Sequence, residues 1–319
     1  VILTVTLNAA IDRTVAVPNF RLGYRHRATE SRSVAGGKGV NVARALKLLG
    51  RPVIATGLAG GPTGTRILER LAEESILNDF TRIQGNSRTN LAVVDPTSGV
   101  QTEINERGPQ VDPAEVDRFV EKLLYLAQGA QICVLAGSVP PGIEIDVYAR
   151  LIEALRELGV FCILDTDGEP MRAGLKASPD VVAPNLTEAE EAVGHEFNDD
   201  EDRDAGLAAL IEMGARNAII TLPLGCVAVL ERDGERRRYD VEIEHLEPVS
   251  KVGSGDAFLA GYVAARYEGA SPRECLAFGV ACGAESTQHF GAGTLDRREA
   301  ERLLKRVHVR ESDVPAGVA

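Results

Sequence analysis

Short runs of apolar and β-branched residues alternate with amphipathic stretches of helical period along most of this chain. The candidate core strands are residues 1–7, 52–58, 131–136, 161–165, 180–183, 217–222 and 226–232, and most are near-continuous apolar runs. Strands covered on both faces read this way, so the pattern predicts an α/β fold with a mainly parallel sheet between helices. Between the runs, Val42, Ala45, Leu46 and Leu49 follow i, i+3, i+4, i+7 spacing, and Val116, Val120, Leu123 and Leu124 approximate it, as packing faces of helices do. Asp112-Pro113 places a capping residue before a proline at the first helical position, and Ser271-Pro272-Arg273-Glu274 adds a capping box. Both mark helix starts. Gly60-Gly61-Pro62-Thr63-Gly64 reads as a turn, Asn198 to Asp204 as an acidic approach to a helix, and 309–319 as a frayed polar tail.

Two segments break the alternation, about 13–33 and about 88–104 around the turn Asp95-Pro96-Thr97-Ser98-Gly99. Each reads as β structure without an intervening helix, so together they predict a small sheet projecting from the main body as a lid. Neither a long linker nor a repeat interrupts residues 1–319, which therefore read as one domain.

A length of 319 residues is enough for a large core. The net charge of -12 argues against nucleic acid or an anionic membrane as partner, so a phosphate site must be a local feature. Cys133, Cys162, Cys226, Cys275 and Cys282 are odd in number and without C-x-x-C spacing, which predicts buried reduced thiols. His26, His195, His245, His289 and His308 lack metal-ligand spacing. Val1 to Leu7 alternates like a strand rather than a signal peptide, and no run approaches the roughly 20 apolar residues of a membrane span, so a cytoplasmic location is expected. Asn185-Leu186-Thr187 matches a glycosylation sequon, which without an export signal reads as structural.

The candidate chemistry lies in two glycine loops that each open a helical pattern. Gly253-Ser254-Gly255-Asp256 precedes the run Ala257-Phe258-Leu259-Ala260-Gly261-Tyr262, so consecutive backbone N–H groups face a ligand at the positive end of a helix. A carboxylate inside such an anion cradle weakens phosphate binding, and Asp256 is understandable there as a base. Gly36-Gly37-Lys38-Gly39-Val40-Asn41 repeats the arrangement with an ammonium and an amide. Neither loop is a Walker sequence, and no dinucleotide G-x-G-x-x-G follows a strand at the expected place.

Five motifs in order carry a resemblance: Thr6-Leu7-Asn8-Ala9-Ala10-Ile11-Asp12, Gly36-Gly37-Lys38-Gly39-Val40-Asn41-Val42-Ala43, Gly137-Ser138-Val139-Pro140-Pro141-Gly142, Pro184-Asn185-Leu186-Thr187-Glu188 and Gly253-Ser254-Gly255-Asp256. They resemble the ribokinase/PfkB family of carbohydrate kinases, most closely its phosphosugar branch of 1-phosphofructokinases, tagatose-6-phosphate kinases and minor 6-phosphofructokinases. The resemblance implies a ribokinase-like three-layer sandwich with a β lid, and ATP-dependent phosphorylation of a sugar hydroxyl with Mg2+. Asp256 would be the base, with the N–H groups of Gly253, Ser254, Gly255 and Asp256 stabilising the transferred phosphoryl group. Asn185 and Glu188 would organise the metal through water, and Asn185, Thr221, Gly225, Gly253 and Gly255 would contact the nucleotide. Asp12, Gly37 and Asn41 would hold the sugar, with Ser138 adding a contact. Arg88, in Ser87-Arg88-Thr89-Asn90, would grip a phosphate already on the acceptor, with Lys38 as a second charge and Arg25 and Arg27 as weaker candidates reaching across a lid-mediated homodimer.

The departures from the family pattern cluster on the nucleotide side. Ala183 stands where a Lys is common, Pro223 and Cys226 stand at expected glycines in Thr221-Leu222-Pro223-Leu224-Gly225-Cys226, and Glu285 occupies a normally small, neutral position. Asp165-Thr166-Asp167-Gly168 also carries Asp where Ser is frequent, and Asn8-Ala9-Ala10 replaces a common Asn-Pro-Ala. The expected activity is conversion of fructose 1-phosphate to fructose 1,6-bisphosphate. The alternatives are a 6-phosphofructokinase or tagatose-6-phosphate kinase, a kinase of an unphosphorylated sugar or nucleoside, and a catalytically weak sugar-phosphate-binding protein.

Overall fold

The computed structural model describes residues 1–232, 234–289 and 291–314. Fourteen strands among them form two sheets. The chain-ordered strands are β1 (Ile2–Thr6), β2 (Ala10–Ala16), β3 (Glu30–Gly36), β4 (Val53–Gly60), β5 (Leu77–Ile83), β6 (Arg88–Val94) and β7 (Gln101–Ile104). They continue as β8 (Ile132–Ala136), β9 (Phe161–Asp165), β10 (Val181–Val182), β11 (Ala218–Leu222), β12 (Gly225–Arg232), β13 (Glu235–Ile243) and β14 (Val307–Asp313). The helices are α1 (Lys38–Leu48), α2 (Gly61–Glu73), α3 (Pro113–Ala127), α4 (Val147–Glu157), α5 (Gly168–Leu175), α6 (Leu186–Val193), α7 (Asp200–Glu212), α8 (Ser254–Tyr267), α9 (Pro272–Ser286) and α10 (Arg297–Leu303).

The main sheet has the order β14-β13-β12-β11-β10-β9-β8-β1-β4-β5. It is parallel from β11 to β5 and antiparallel from β11 through β14. Period-two alternation assigns its side chains to two cores. Ile2, Ile132, Val134 and Ile163 pack with α1, α2, α8 and α9. Leu3, Val5, Cys133, Leu135 and Leu164 pack with α3 and α4, while α5, α6 and α7 extend that face toward β11 and β12. The expected three-layer sandwich is therefore present.

Chain direction locates the crevice. From β1 the chain runs outward through β4 and β5, then returns to the other side of β1 and continues outward through β8, β9, β10 and β11. Ligands of open parallel sheets bind beyond the carboxyl ends of the strands at such a switch point. The second sheet, β3-β2-β6-β7, arises from the two segments that broke the alternation. Its strand β2 departs directly from the carboxyl end of β1, which brings the small sheet to the mouth of this crevice.

Three expectations need correction. Residues 307–313 do not fray: they form β14, antiparallel to β13. Val307 and Val309 pack on the core, and Arg310 pairs with Asp240 and Glu242; the expected tail beyond Val314 lies outside the described residues. Gly60–Gly64 is not a free turn but the end of β4 and the start of α2, with Pro62 in the first helical turn. Strands β5 and β13 are additional, and both carry many polar residues that hide them from an apolar search. The five cysteines are buried and free, and no described helix is long and apolar enough to cross a membrane.

Candidate active site

Helices α1 and α8 start after Gly37 and Gly253, and neither N-terminus carries a side-chain cap. In α8 the Ser254 N–H makes a long bond of 3.4 Å to the Lys251 carbonyl, and the N–H groups of Gly255 and Asp256 that follow have no side-chain cap, as an anion site at a helix start requires. The two first turns are joined by a hydrogen bond of 2.9 Å from Asn41 Nδ2 to Asp256 Oδ2. Asp256 is buried, and its carboxyl is pushed up to about 7 by burial and by the neighbouring charge of Asp165, against the opposing pull of Lys38 and the Asn41 hydrogen bond; Asp12 adds a smaller upward push. Such a group is suited to take a proton near neutral pH.

Three successive cavities surround these turns. The first, of about 320 Å3, is lined by Asp12, Gly37, Lys38, Asn41, Arg88 and Ser138 among others. The second, about 640 Å3, shares Lys38 and is bounded by Asp165, Asn185, Glu188 and the loop Gly253 to Asp256. The third is an apolar groove of about 390 Å3 that shares Thr221, Ser254 and Gly255 with the second and continues along Leu224, Ile243, Phe258 and Val280. Asp256 thus stands in the middle compartment, on the turn that faces Asn41 in the first.

Asp12 projects from β2 beside Asn90 of β6, its register partner, and accepts a hydrogen bond of 2.8 Å from Asn90 Nδ2. Burial raises its pKa, while Asn90 and Arg88 oppose the shift. Gly36 is required for this placement, because a Cβ there would lie 1.9 Å from Asp12 Oδ2. Arg88 donates through Nε to the Asn8 carbonyl (3.1 Å) and through Nη1 to the Glu106 carbonyl (2.9 Å), which fixes the guanidinium at the cavity wall. Burial lowers its pKa, and Asp12, Glu106 and Asp167 counter that effect. Ser138 Oγ accepts from Asn8 Nδ2 at 3.2 Å. The preceding Gly137 carbonyl accepts from Tyr148 and Thr166 hydroxyls, so this loop is held from two elements.

Lys38 is placed differently from expectation. Its Nζ lies 2.9 Å from both Asp165 Oδ1 and Glu188 Oε1, at the junction of the first two cavities. Burial alone would lower its pKa, but Asp165, Glu188 and Asp256 together raise it, so the ammonium stays charged. Its charge is committed to these carboxylates rather than standing free beside Arg88. Arg25 is also not brought to the site of its own chain: it is exposed in the connection from β2 to β3, and Arg27 is exposed beside it.

Asn185 and Glu188 also have a structural role, one that Asn-x-x-Glu spells out locally. Asn185 Oδ1 accepts from the Glu188 N–H and Glu188 Oε2 accepts from the Asn185 N–H, both at 2.9 Å, a reciprocal capping box on α6. That cap leaves Glu188 Oε1 turned to Lys38. Thr221 bridges the Asn185 backbone at the end of β11. Gly225 opens β12 where a Cβ would meet the Val241 carbonyl at 1.8 Å, so its glycine serves strand packing as well as the groove.

Of the departures, Ala183 lines the middle cavity and Pro223 the apolar groove. Cys226 and Glu285 do not obstruct the groove: Cys226 is fully buried in β12, and Glu285 turns to His289 Nε2 (2.6 Å) and the Asp296 N–H (3.0 Å). No group of three or more His, Cys, Asp or Glu able to hold a metal occurs among the described residues. Glu188 and Asn185, which border the middle cavity, fit a magnesium ion held mainly by phosphates and water and reached through that water, since the ion takes only one or two protein carboxylates in such sites.

Residues 4–298 match the family model described as pfkB family carbohydrate kinase. A tagatose-6-phosphate kinase of Staphylococcus epidermidis is 30% identical over 314 residues, covering 97% of this chain and 99% of the relative. The structure of Escherichia coli phosphofructokinase-2 in complex with substrates and products has a TM-score of 0.87 at 28% identity, covering 95% of this chain and 98% of that one. A Thermotoga maritima structure described as a possible 1-phosphofructokinase has a TM-score of 0.88 at 26% identity, covering 98% and 99%. Matched by this family model over residues 4–298 and 30% identical along nearly its whole length to a kinase relative, the chain belongs to the pfkB family of carbohydrate kinases.

Proposed function

We propose that the protein transfers the γ-phosphoryl group of ATP to a hydroxyl of a phosphorylated ketohexose, with fructose 1-phosphate the preferred acceptor and fructose 1,6-bisphosphate the product. The observation that carries this reading is the sequence of compartments: an Arg88-lined polar cavity, an anion cradle containing Asp256, and an apolar groove. Asp12, Asn41 and Ser138 orient the acceptor, and Arg88 binds its phosphate. Asp256 takes the hydroxyl proton as that oxygen bonds to the γ-phosphorus and the bond to the ADP oxygen breaks. The N–H groups of Gly253, Ser254, Gly255 and Asp256 receive the charge on the equatorial oxygens. Magnesium bound with the nucleotide would offset phosphate charge, with Glu188 and Asn185 reaching it through water.

ADP release measured with fructose 1-phosphate, fructose 6-phosphate, tagatose 6-phosphate, unphosphorylated ketohexoses, ribose and nucleosides tests the assignment. Fructose 1-phosphate should give the highest kcat/KM. Turnover of ribose or nucleosides alone would overturn it. The tagatose-6-phosphate kinase relative favours a second reading, in which a ketohexose 6-phosphate is the preferred acceptor.

The working unit in this proposal is a homodimer formed through the small sheet. Leu22 and Tyr24 are 87% and 70% exposed beside Arg25, which supports burial of this loop against a second copy. Sedimentation should give a dimer, and a monomer at all working concentrations would refute it.

A further inference from the structure

Behind Asp256 lies a chain of three side chains, Asn41, Arg44 and Glu74, of which no motif assigns a role to the last two. Arg44, one turn along α1 from Asn41, is buried and donates from Nη1 to Asn41 Oδ1 at 3.0 Å. Its Nη2 donates to the Ala35 carbonyl (2.6 Å) and to Glu74 Oε1 (3.1 Å), while Nε donates to Glu74 Oε2. Glu74 therefore grips the guanidinium with both oxygens, and the Ala35 carbonyl fixes its tilt. Asn41, in turn, donates its Nδ2 to Asp256.

The chemistry of arginine makes this arrangement directional. A guanidinium carries donors and no acceptor, so the Asn41 atom that meets it must be the oxygen. The nitrogen must then face Asp256. The reversed amide would set donors against donors at Arg44 and acceptors against acceptors at Asp256, two buried mismatches at once.

We infer that Arg44 is a positioning residue for the base: clamped by Glu74, it locks the Asn41 amide so that a donor always meets the Asp256 carboxylate. This rests on the reading of Asp256 as the base. The other charged groups facing Asp256 are Asp165 from β9, Lys38 from α1 and Asp12 from β2, and those facing Arg44 are Glu74 and Asp12. Arg44→Met removes the lock and leaves Asp165, Lys38, Asp12 and Glu74 in sequence. The amide is then free to present its oxygen to Asp256, which disfavours the ionised carboxylate.

The test is a titration of Asp256 by NMR in protein labelled with 13C at the Asp carboxyl, with Asp256→Asn to assign the signal. In Arg44→Met the midpoint should move up by about one pH unit, a tenfold change in ionisation constant. The acid limb of kcat should move with it, while the KM for ATP stays within about twofold, since no contact to the nucleotide groove is altered. Arg44→Lys should lie between the two, because an ammonium cannot hold Asn41, Ala35 and Glu74 in one plane. A wild-type midpoint in Arg44→Met, with or without a loss of stability, overturns the inference, and if that variant does not fold, a wild-type midpoint in Arg44→Lys does so. Absence of phosphoryl transfer by the wild-type protein would defeat the kinase reading instead, and the titration would still decide the role of Arg44.

Discussion

Replacing Asp256 by asparagine should stop the chemistry and stabilise the fold. Its carboxyl is displaced from the ordinary 3.8 to about 7, with burial the largest cause. Each pH unit of displacement is worth about 1.4 kcal/mol, so an ionised Asp256 costs the folded state about 4 kcal/mol. The sign follows from proton counts. Between pH 3.8 and about 7 the folded protein holds a proton that the unfolded chain has released, so stability falls as pH rises through this window and levels off above it. Asparagine occupies nearly the same volume without the charge, and its oxygen still accepts from Asn41. The attraction of Lys38 is already contained in that displacement, so the benefit at pH 8 should be about 4 kcal/mol. Near pH 3.5 the gain should vanish. Urea denaturation of both proteins at the two pH values reads the difference directly, alongside a fall in kcat of at least about 100-fold. An equal gain at both pH values, or none at pH 8, would refute the assignment of a buried, ionisable base at this position.

Arg88→Ala should lower kcat/KM for the phosphorylated acceptor by about 30-fold, roughly 2 kcal/mol, and leave turnover of an unphosphorylated ketohexose nearly unchanged; an equal loss on both would make Arg88 a support for the small sheet. In Glu188→Gln the single amide oxygen can stay on the Asn185 N–H only with the NH2 turned to the Lys38 ammonium, so stability should fall by about 1–3 kcal/mol, while the Mg2+ concentration for half-maximal activity rises at least about tenfold. A destabilised fold with unchanged Mg2+ dependence would reduce Glu188 to a cap. Gly36→Ala drives a methyl group into Asp12, and the acceptor KM should rise at least about tenfold while calorimetric ATP binding is retained. Loss of ATP binding instead would mean that the small sheet and the nucleotide groove are mechanically coupled.

The parallel core was readable because its strands are buried on both faces and leave unbroken apolar runs, and the starts of α3 and α9 because capping residues act within one turn. Strand β13, Glu235–Ile243, was not readable, since the partly buried Arg236, Arg237 and Arg238 occupy it and an apolar search passes over them. Arg238 is neutralised by Asp204 and Asp240, and Asp204 comes from a different element. The capping box of Asn185 and Glu188 lay in plain view as Asn-x-x-Glu, but the functional reading of that motif obscured the local one.

The sequence alone determined the covalently local features: two glycine loops before helices, a carboxylate in one of them, and acceptor candidates at Asp12, Asn41 and Arg88. Tertiary structure decided which charges meet. Lys38 finds Asp165 and Glu188 from 127 and 150 residues away, Asn41 reaches Asp256 across 215, and Arg44 is clamped by Glu74 at the end of another helix. A hydrogen bond or ion pair acts over about 3 Å whatever the separation along the chain, so residue type announces the capacity for such a contact and only the fold selects its partner.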